Sequence, residues 1–148
     1  MKEYVLILPI VSGCKDILLV RKEKPEWQKG KLNLVGGSVE YLEEPKDAAI
    51  RELQEESGIV NRNVVECGKI VGKDFTVYCY YCEISRWATT LRPRECEVET
   101  VAWYPWDVVK TDRNLIPNLT VIIPLLRLRV VGWTIIDTDE SNAFRIEV

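Results

Sequence analysis

Pro45 and Gly58 bracket a charged segment, PKDAAIRELQEESG, and this bracketing constrains the fold more than any other feature of the chain. Proline has no N–H to leave unpaired in the first turn of a helix, and glycine readily takes the conformation needed just past a helix end. The segment is therefore predicted to be helical from Pro45 to Ser57. At 3.6 residues per turn Glu52, Glu55 and Glu56 share one stripe, whereas Ala49, Ile50 and Leu53 point to another side, towards a core. Like charges at that spacing each oppose the helix by about 0.2–0.5 kcal/mol. Arg51 and Lys46 offset only part of this, and Arg51, four residues before Glu55, is placed to orient that carboxylate. A divalent cation is the simplest remaining partner. The chain contains no histidine, and carboxylate oxygens alone favour a hard ion, Mg2+ or Mn2+, which keeps waters and bridges to phosphates.

Strand-like runs surround this helix. Glu3 to Leu8, ended by Pro9, and Ile17 to Arg21 read as an antiparallel hairpin turned by Ser12-Gly13. Leu32 to Val35 leads into Gly36-Gly37. Val64 to Val71 and Phe75 to Ile84 read as a pair around Gly72-Lys73-Asp74, and Thr100 to Tyr104 as a further strand. Ile116 to Val131 suits a second helix, with Pro117 near its start and Pro124 kinking or shortening it. Trp133 to Asp137 and Ala143 to Glu147 flank a polar turn as a terminal β-hairpin. The expected class is α/β (α+β), a mixed sheet between helices. At 148 residues and 47% hydrophobic composition, residues 1–148 suit one domain burying about two-thirds of its unfolded surface.

Composition also excludes. A net charge of -3 with 20 basic residues offers no field for polymeric nucleic acid, and no run of five or more like charges appears. The apolar runs Tyr4 to Val11 and Val121 to Leu126 fall short of the about 20 residues that cross a bilayer. No membrane association is expected, and a cytoplasmic location is. Five cysteines without a secretory signal argue against a disulfide framework. Cys79 and Cys82 have CxxC spacing but lie in a strand-like run, where residues three apart face opposite ways.

Gly37, Glu43, Arg51, Glu52, Leu53, Glu55, Glu56, Gly58 and Ile59 together fill every defined position of the pattern Gx5Ex7REUxEExGU, with U a bulky aliphatic. The chain thus resembles the Nudix family. The resemblance implies a Nudix αβα sandwich over residues 1–131, with the terminal hairpin additional. It implies metal-dependent hydrolysis of a nucleoside diphosphate linked to another moiety. Residue by residue it makes Glu52, Glu55 and Glu56 metal ligands, with Glu52 also a candidate base, and lets the backbone carbonyl of Gly36 or Gly37 complete the shell. Val35 and Leu42 stand where many members have Pro and Gly. Without that glycine, positive φ is harder to reach, so the Tyr41-Leu42 turn is expected to change shape.

Outside the pattern, members often recruit another glutamate from the loop before a later strand. Of Glu95, Glu97 and Glu99, Glu97 is favoured as ligand or base. Arg21 closes a strand whose end faces the phosphates in many members, and its planar fork suits phosphate oxygens. Trp27, between Glu26 and Gln28, is the aromatic residue best placed to stack on a base. The implied partner is a small-molecule nucleotide, and the resemblance allows a homodimer. A (d)NTP pyrophosphohydrolase is the first reading, because Phe75 stands where ADP-ribose enzymes often carry Pro. The alternatives are an ADP-ribose, NDP-sugar or dinucleoside polyphosphate pyrophosphatase, and a non-catalytic nucleotide-binding module.

Overall fold

The computed structural model describes residues 1–90, 100–138 and 144–147. The strands are β1 (Lys2–Val11), β2 (Asp16–Arg21), β3 (Leu32–Ser38), β4 (Val65–Val71), β5 (Phe75–Ile84), β6 (Thr100–Pro105), β7 (Trp133–Asp137) and β8 (Phe144–Glu147). They form one mixed eight-stranded sheet in the order β6-β2-β3-β1-β5-β4-β7-β8. The β1–β5 and β4–β7 pairs are parallel and the others antiparallel.

Helix α1 runs Pro45–Ser57, with Pro at its start and Gly58 in the left-handed conformation at φ 81° after its end. Its Ala48, Ala49 and Leu53 are fully buried with Val5, Ile7, Val35 and Tyr80 on one face of the sheet. Burying a leucine contributes about 2 kcal/mol, so this face holds the helix in place despite its charge. A short α2 (Trp106–Val109) and the apolar α3 (Leu119–Arg127) cover the opposite face. There Leu119, Ile122, Ile123 and Leu126 pack on Leu8, Leu34, Cys79 and Trp133. Alternation along β5 separates the CxxC pair: Cys79 lies in one core and Cys82 in the other. Burial pushes both thiols up, Cys82 to about 12. Among the described residues no helix is long and apolar enough to cross a membrane.

Three expectations change. Pro9 does not end β1, which continues to Val11 beside β5. Pairing with β3 stops at Ile7, so the missing N–H of Pro9 removes no bond on that side. Nor do β1 and β2 form a hairpin, because β3 lies between them, giving Leu32–Leu34 to β2 and Val35–Ser38 to β1. The second helix is shorter than Ile116 to Val131. Asn114 and Ile116 bond across to Leu32 in extended form, and Pro117 keeps its predecessor extended. At the other end Arg129 turns left-handed at φ 58°. The terminal hairpin forms as expected, with β7 docked on β4 and Trp133 lying against Gly68.

Candidate active site

Where β3 leaves β2 and continues along β1, its residues Val35–Ser38 have, among the described residues, a paired strand on the β1 side alone. Glu56 takes the vacant acceptor position: its Oε1 accepts the Gly36 N–H at 2.9 Å, and the residue is 8% exposed. One turn earlier, the Glu52 carboxylate occupies the space where a Gly37 side chain would stand. A side chain on Gly36 would instead strike the Val5 carbonyl of β1. The two glycines thus let two strands and two carboxylates converge.

Arg51 ties the remaining acids together. Its Nε and Nη2 donate to Glu43 Oε2 and Oε1 at 2.9 and 3.0 Å, a forked pair. Nη1 donates to Glu52 Oε1 at 2.9 Å and Glu55 Oε2 at 3.2 Å, and Nη2 also reaches the Ser38 carbonyl at 2.9 Å. The Arg51 guanidinium holds the Glu43 carboxyl below its ordinary range, helped by the Glu40 N–H and opposed by partial burial. Those hydrogen bonds in turn raise the Arg51 pKa. Arg51 therefore orients Glu52 as well as the expected Glu55.

The Tyr41-Leu42 turn corrects another expectation. Leu42 itself adopts φ 64°, so the left-handed turn is kept without glycine. The flanking bonds Glu43 N–H to Glu40 carbonyl and Glu40 N–H to Glu43 Oε1, both 3.0 Å, enforce it.

Glu52, Glu56, Gly36, Gly37 and Ser38 form one wall of a cleft of about 1530 Å³ that crosses the α3-side face of the sheet. Trp27, 66% exposed, lies on its rim. Arg51 and Glu55 stand behind the wall rather than on it. Arg21 does not border the cleft either: its Nη1 donates to the Gly30 carbonyl at 2.9 Å, clasping the loop after β2. Its neighbours Lys22 and Lys24 border the cleft instead. Tyr78 and Tyr80 are turned to the α1 side, their hydroxyls donating to Glu3 and Glu66. Glu97 lies outside the described residues. Asn33, Asn118 and Asp137 also line the cleft, and sequence reasoning did not single them out.

Among the described residues no three acidic, cysteine or histidine side chains are gathered tightly enough to chelate a metal by themselves. The donor set nevertheless fits Mg2+ or Mn2+. Two carboxylates beside backbone oxygen, with no soft ligand, match ions that take few protein ligands and fill the rest of their shell with water and phosphate oxygens.

A model of the NUDIX domain matches residues 2–125. The fold is similar to that of the Mutator MutT protein from Bacillus halodurans, with TM-score 0.73 and 16% identity over 99% of this chain and 98% of that one. It is also similar to the NUDIX domain of Shewanella oneidensis NrtR, which was crystallised with ADP ribose (TM-score 0.71, 18% identity, 86% of each chain). A NUDIX-family hydrolase from Clostridium perfringens matches with TM-score 0.65 and 21% identity over 86% of this chain and 97% of that one.

Proposed function

The chain belongs to the Nudix hydrolase family, and from that premise we propose that it cleaves a phosphoanhydride bond of a small nucleotide, with (d)NTPs as first substrates. The observation that carries the proposal is the convergence of Glu52 and Glu56 on Gly36-Gly37 at the wall of the large cleft. Glu52 and Glu56, with the Gly36 backbone carbonyl, would hold Mg2+ or Mn2+. Such an ion, when bound, offsets diphosphate charge and acidifies a water.

The chain's own residues supply the rest. Glycine at positions 36 and 37 lets β1 and the Glu52 carboxylate come close against the β3 backbone, which keeps both carboxylates at the cleft wall. Arg51 fixes the carboxylate of Glu52 before substrate arrives, which preorganises the site. Glu55, bound to the same guanidinium, is a ligand in the proposal once that contact exchanges for the ion. Lys22 and Lys24 at the cleft edge suit the phosphate tail, taking the role first read for Arg21, and Trp27 offers a stacking surface. A glutamate of the segment before β6, with Glu97 proposed, would accept the proton of the attacking water.

The cleft's size favours a second reading. It exceeds the ~300–1000 Å³ of ordinary ligand pockets, leaving room for a two-ended substrate such as ADP-ribose, an NDP-sugar or a dinucleoside polyphosphate. Turnover of a nucleotide panel with Mg2+ or Mn2+, with products identified by 31P NMR, tests both readings. Pyrophosphate plus monophosphate from a triphosphate supports the first; two monophosphates from ADP-ribose or an NDP-sugar, or two nucleotides that share all the phosphates of a dinucleoside polyphosphate, support the second. No turnover of any member overturns both and leaves a binding module.

A further inference from the structure

The loop between β2 and β3, residues 22–31, brings Lys22, Lys24, Trp27 and Gln28 to the cleft, yet none of its residues is buried. It holds four lysines against two glutamates, so its net charge opposes compaction and no core packing offsets that. Hydrogen bonds shape it instead. At its neck the Lys22 N–H donates to the Lys31 carbonyl and the Gly30 N–H to the Lys22 carbonyl, both at 2.8 Å. Within it the Gln28 and Lys29 N–H groups donate back to Pro25 and Glu26, and that of Lys31 to Gln28. Two strand side chains complete the frame: Arg21 Nη1 donates to the Gly30 carbonyl at 2.9 Å, and Asn33 Nδ2 to Gln28 Oε1 at 3.3 Å.

Of these two anchors Arg21 is the stronger, because its donor is charged. Alternation sets it with Ile17 and Leu19 on the face that the cleft crosses, yet its guanidinium turns to Gly30 and does not border the cleft. Gly30 is left-handed at φ 80°, and glycine leaves that conformation as readily as it enters it. The tie therefore falls where the loop backbone is least constrained by its own sequence.

We propose that Arg21 is a positioning residue for substrate binding: by holding Gly30 it fixes the loop in the free protein, so that Lys22, Lys24 and Trp27 meet the nucleotide already in place. The proposal rests on the nucleotide reading above and gives Arg21 no contact with substrate. A loop ordered in advance avoids the ordering cost on binding. Ground and transition states gain equally, so the effect falls on KM and not on kcat.

Arg21→Met keeps an apolar stem and removes the donors. Native-state hydrogen exchange reads the loop without substrate: the amides of Gln28, Lys29, Gly30 and Lys31 should exchange about tenfold faster in the variant, while those of Leu53 and Ile122 stay as in wild type. On the substrate found in the nucleotide panel, KM should rise about tenfold and kcat stay within about twofold. Arg21→Lys keeps a charged donor and should restore most of both. In a Trp27→Ala, Lys24→Met background Arg21→Met should raise KM less than about threefold, because the groups it positions are gone. Unchanged exchange overturns the proposal, as does faster exchange with unchanged KM. A KM rise undiminished in that background puts Arg21 on the substrate itself and overturns it too, and so does a fall in kcat that accounts for the whole loss of kcat/KM. If Arg21→Met does not fold, Arg21→Gln, whose side chain is two atoms shorter, takes its place. Absence of turnover in the wild type sinks the hydrolytic reading separately. ATP with Mg2+ must then bind the wild type, and Arg21→Met about tenfold more weakly, or the proposal falls as well.

Discussion

Gly37→Ala should disable the enzyme while leaving it folded. A Cβ there would sit 2.5 Å from Glu52 Cδ and 2.8 Å from Oε2, so the carboxylate must retreat by about 1 Å to reach ordinary contact distance. The obstacle is the far end of a flexible side chain, and the backbone at Gly37 is not left-handed, so the fold should lose no more than about 1 kcal/mol. Displacing a proposed metal ligand by that distance should lower kcat/KM about 100-fold. Gly36→Ala is the contrast. Its Cβ would meet the Val5 carbonyl group and lie 3.1 Å from Leu6 Cα, which move only if β1 and β3 separate, a loss of about 1–3 kcal/mol. Steady-state hydrolysis with Mg2+ and urea unfolding of both variants measure the difference. If Gly37→Ala keeps activity within threefold of wild type while remaining folded, Glu52 does not act from the position assigned to it.

Other outcomes follow from the same geometry. Glu56→Gln should retain the fold, since the amide oxygen can still accept the Gly36 N–H, while losing nearly all Mg2+-dependent activity; circular dichroism and phosphate release check each part. Leu42→Gly should relieve left-handed strain of about 1–2 kcal/mol but give back about 0.5–1 kcal/mol in unfolded-chain entropy, for a net gain of about 0.5 kcal/mol in denaturant unfolding. The Glu43 carboxyl is held below the ordinary value of 4.5 by Arg51, so its stabilisation is complete above that pH and is lost as pH falls through the lower folded value. Urea midpoints for wild type and Arg51→Met between pH 3 and 6 should therefore converge towards acid. A gap that stays constant with pH would show that this ion pair adds nothing.

Helix α1 was legible to the residue because its signals are local: Pro45 and Gly58 act on their own backbone, and the glutamate stripe follows from helical geometry alone. The glycine pair preceding it was legible for the same reason. Pro9 misled, since whether a strand tolerates proline depends on which neighbour has already left, and that is fixed by β3 and β5, far along the chain. Arg21 and Lys22 show a related limit. Alternation makes adjacent residues face opposite ways, but which of them meets the cleft depends on the loop that Arg21 clasps through Gly30. The face of Asp137 could be read from Trp133 and Ile135. That it borders the cleft could not, because only the parallel docking of β7 on β4 brings that face to the cleft's far end.

The sheet separates two tasks physically. Helix α1 is seated on one face and sends Glu52 and Glu56 past the edge of β3, while most of the cleft lies on the other face, walled by residues from several strands and loops. A change in the hairpin or in the loop bearing Trp27 need not disturb the packing of Leu53 or the grip of Arg51. Such a scaffold can be re-targeted by substitutions in the strands and loops that wall the cleft, while α1 and its carboxylates stay where they are.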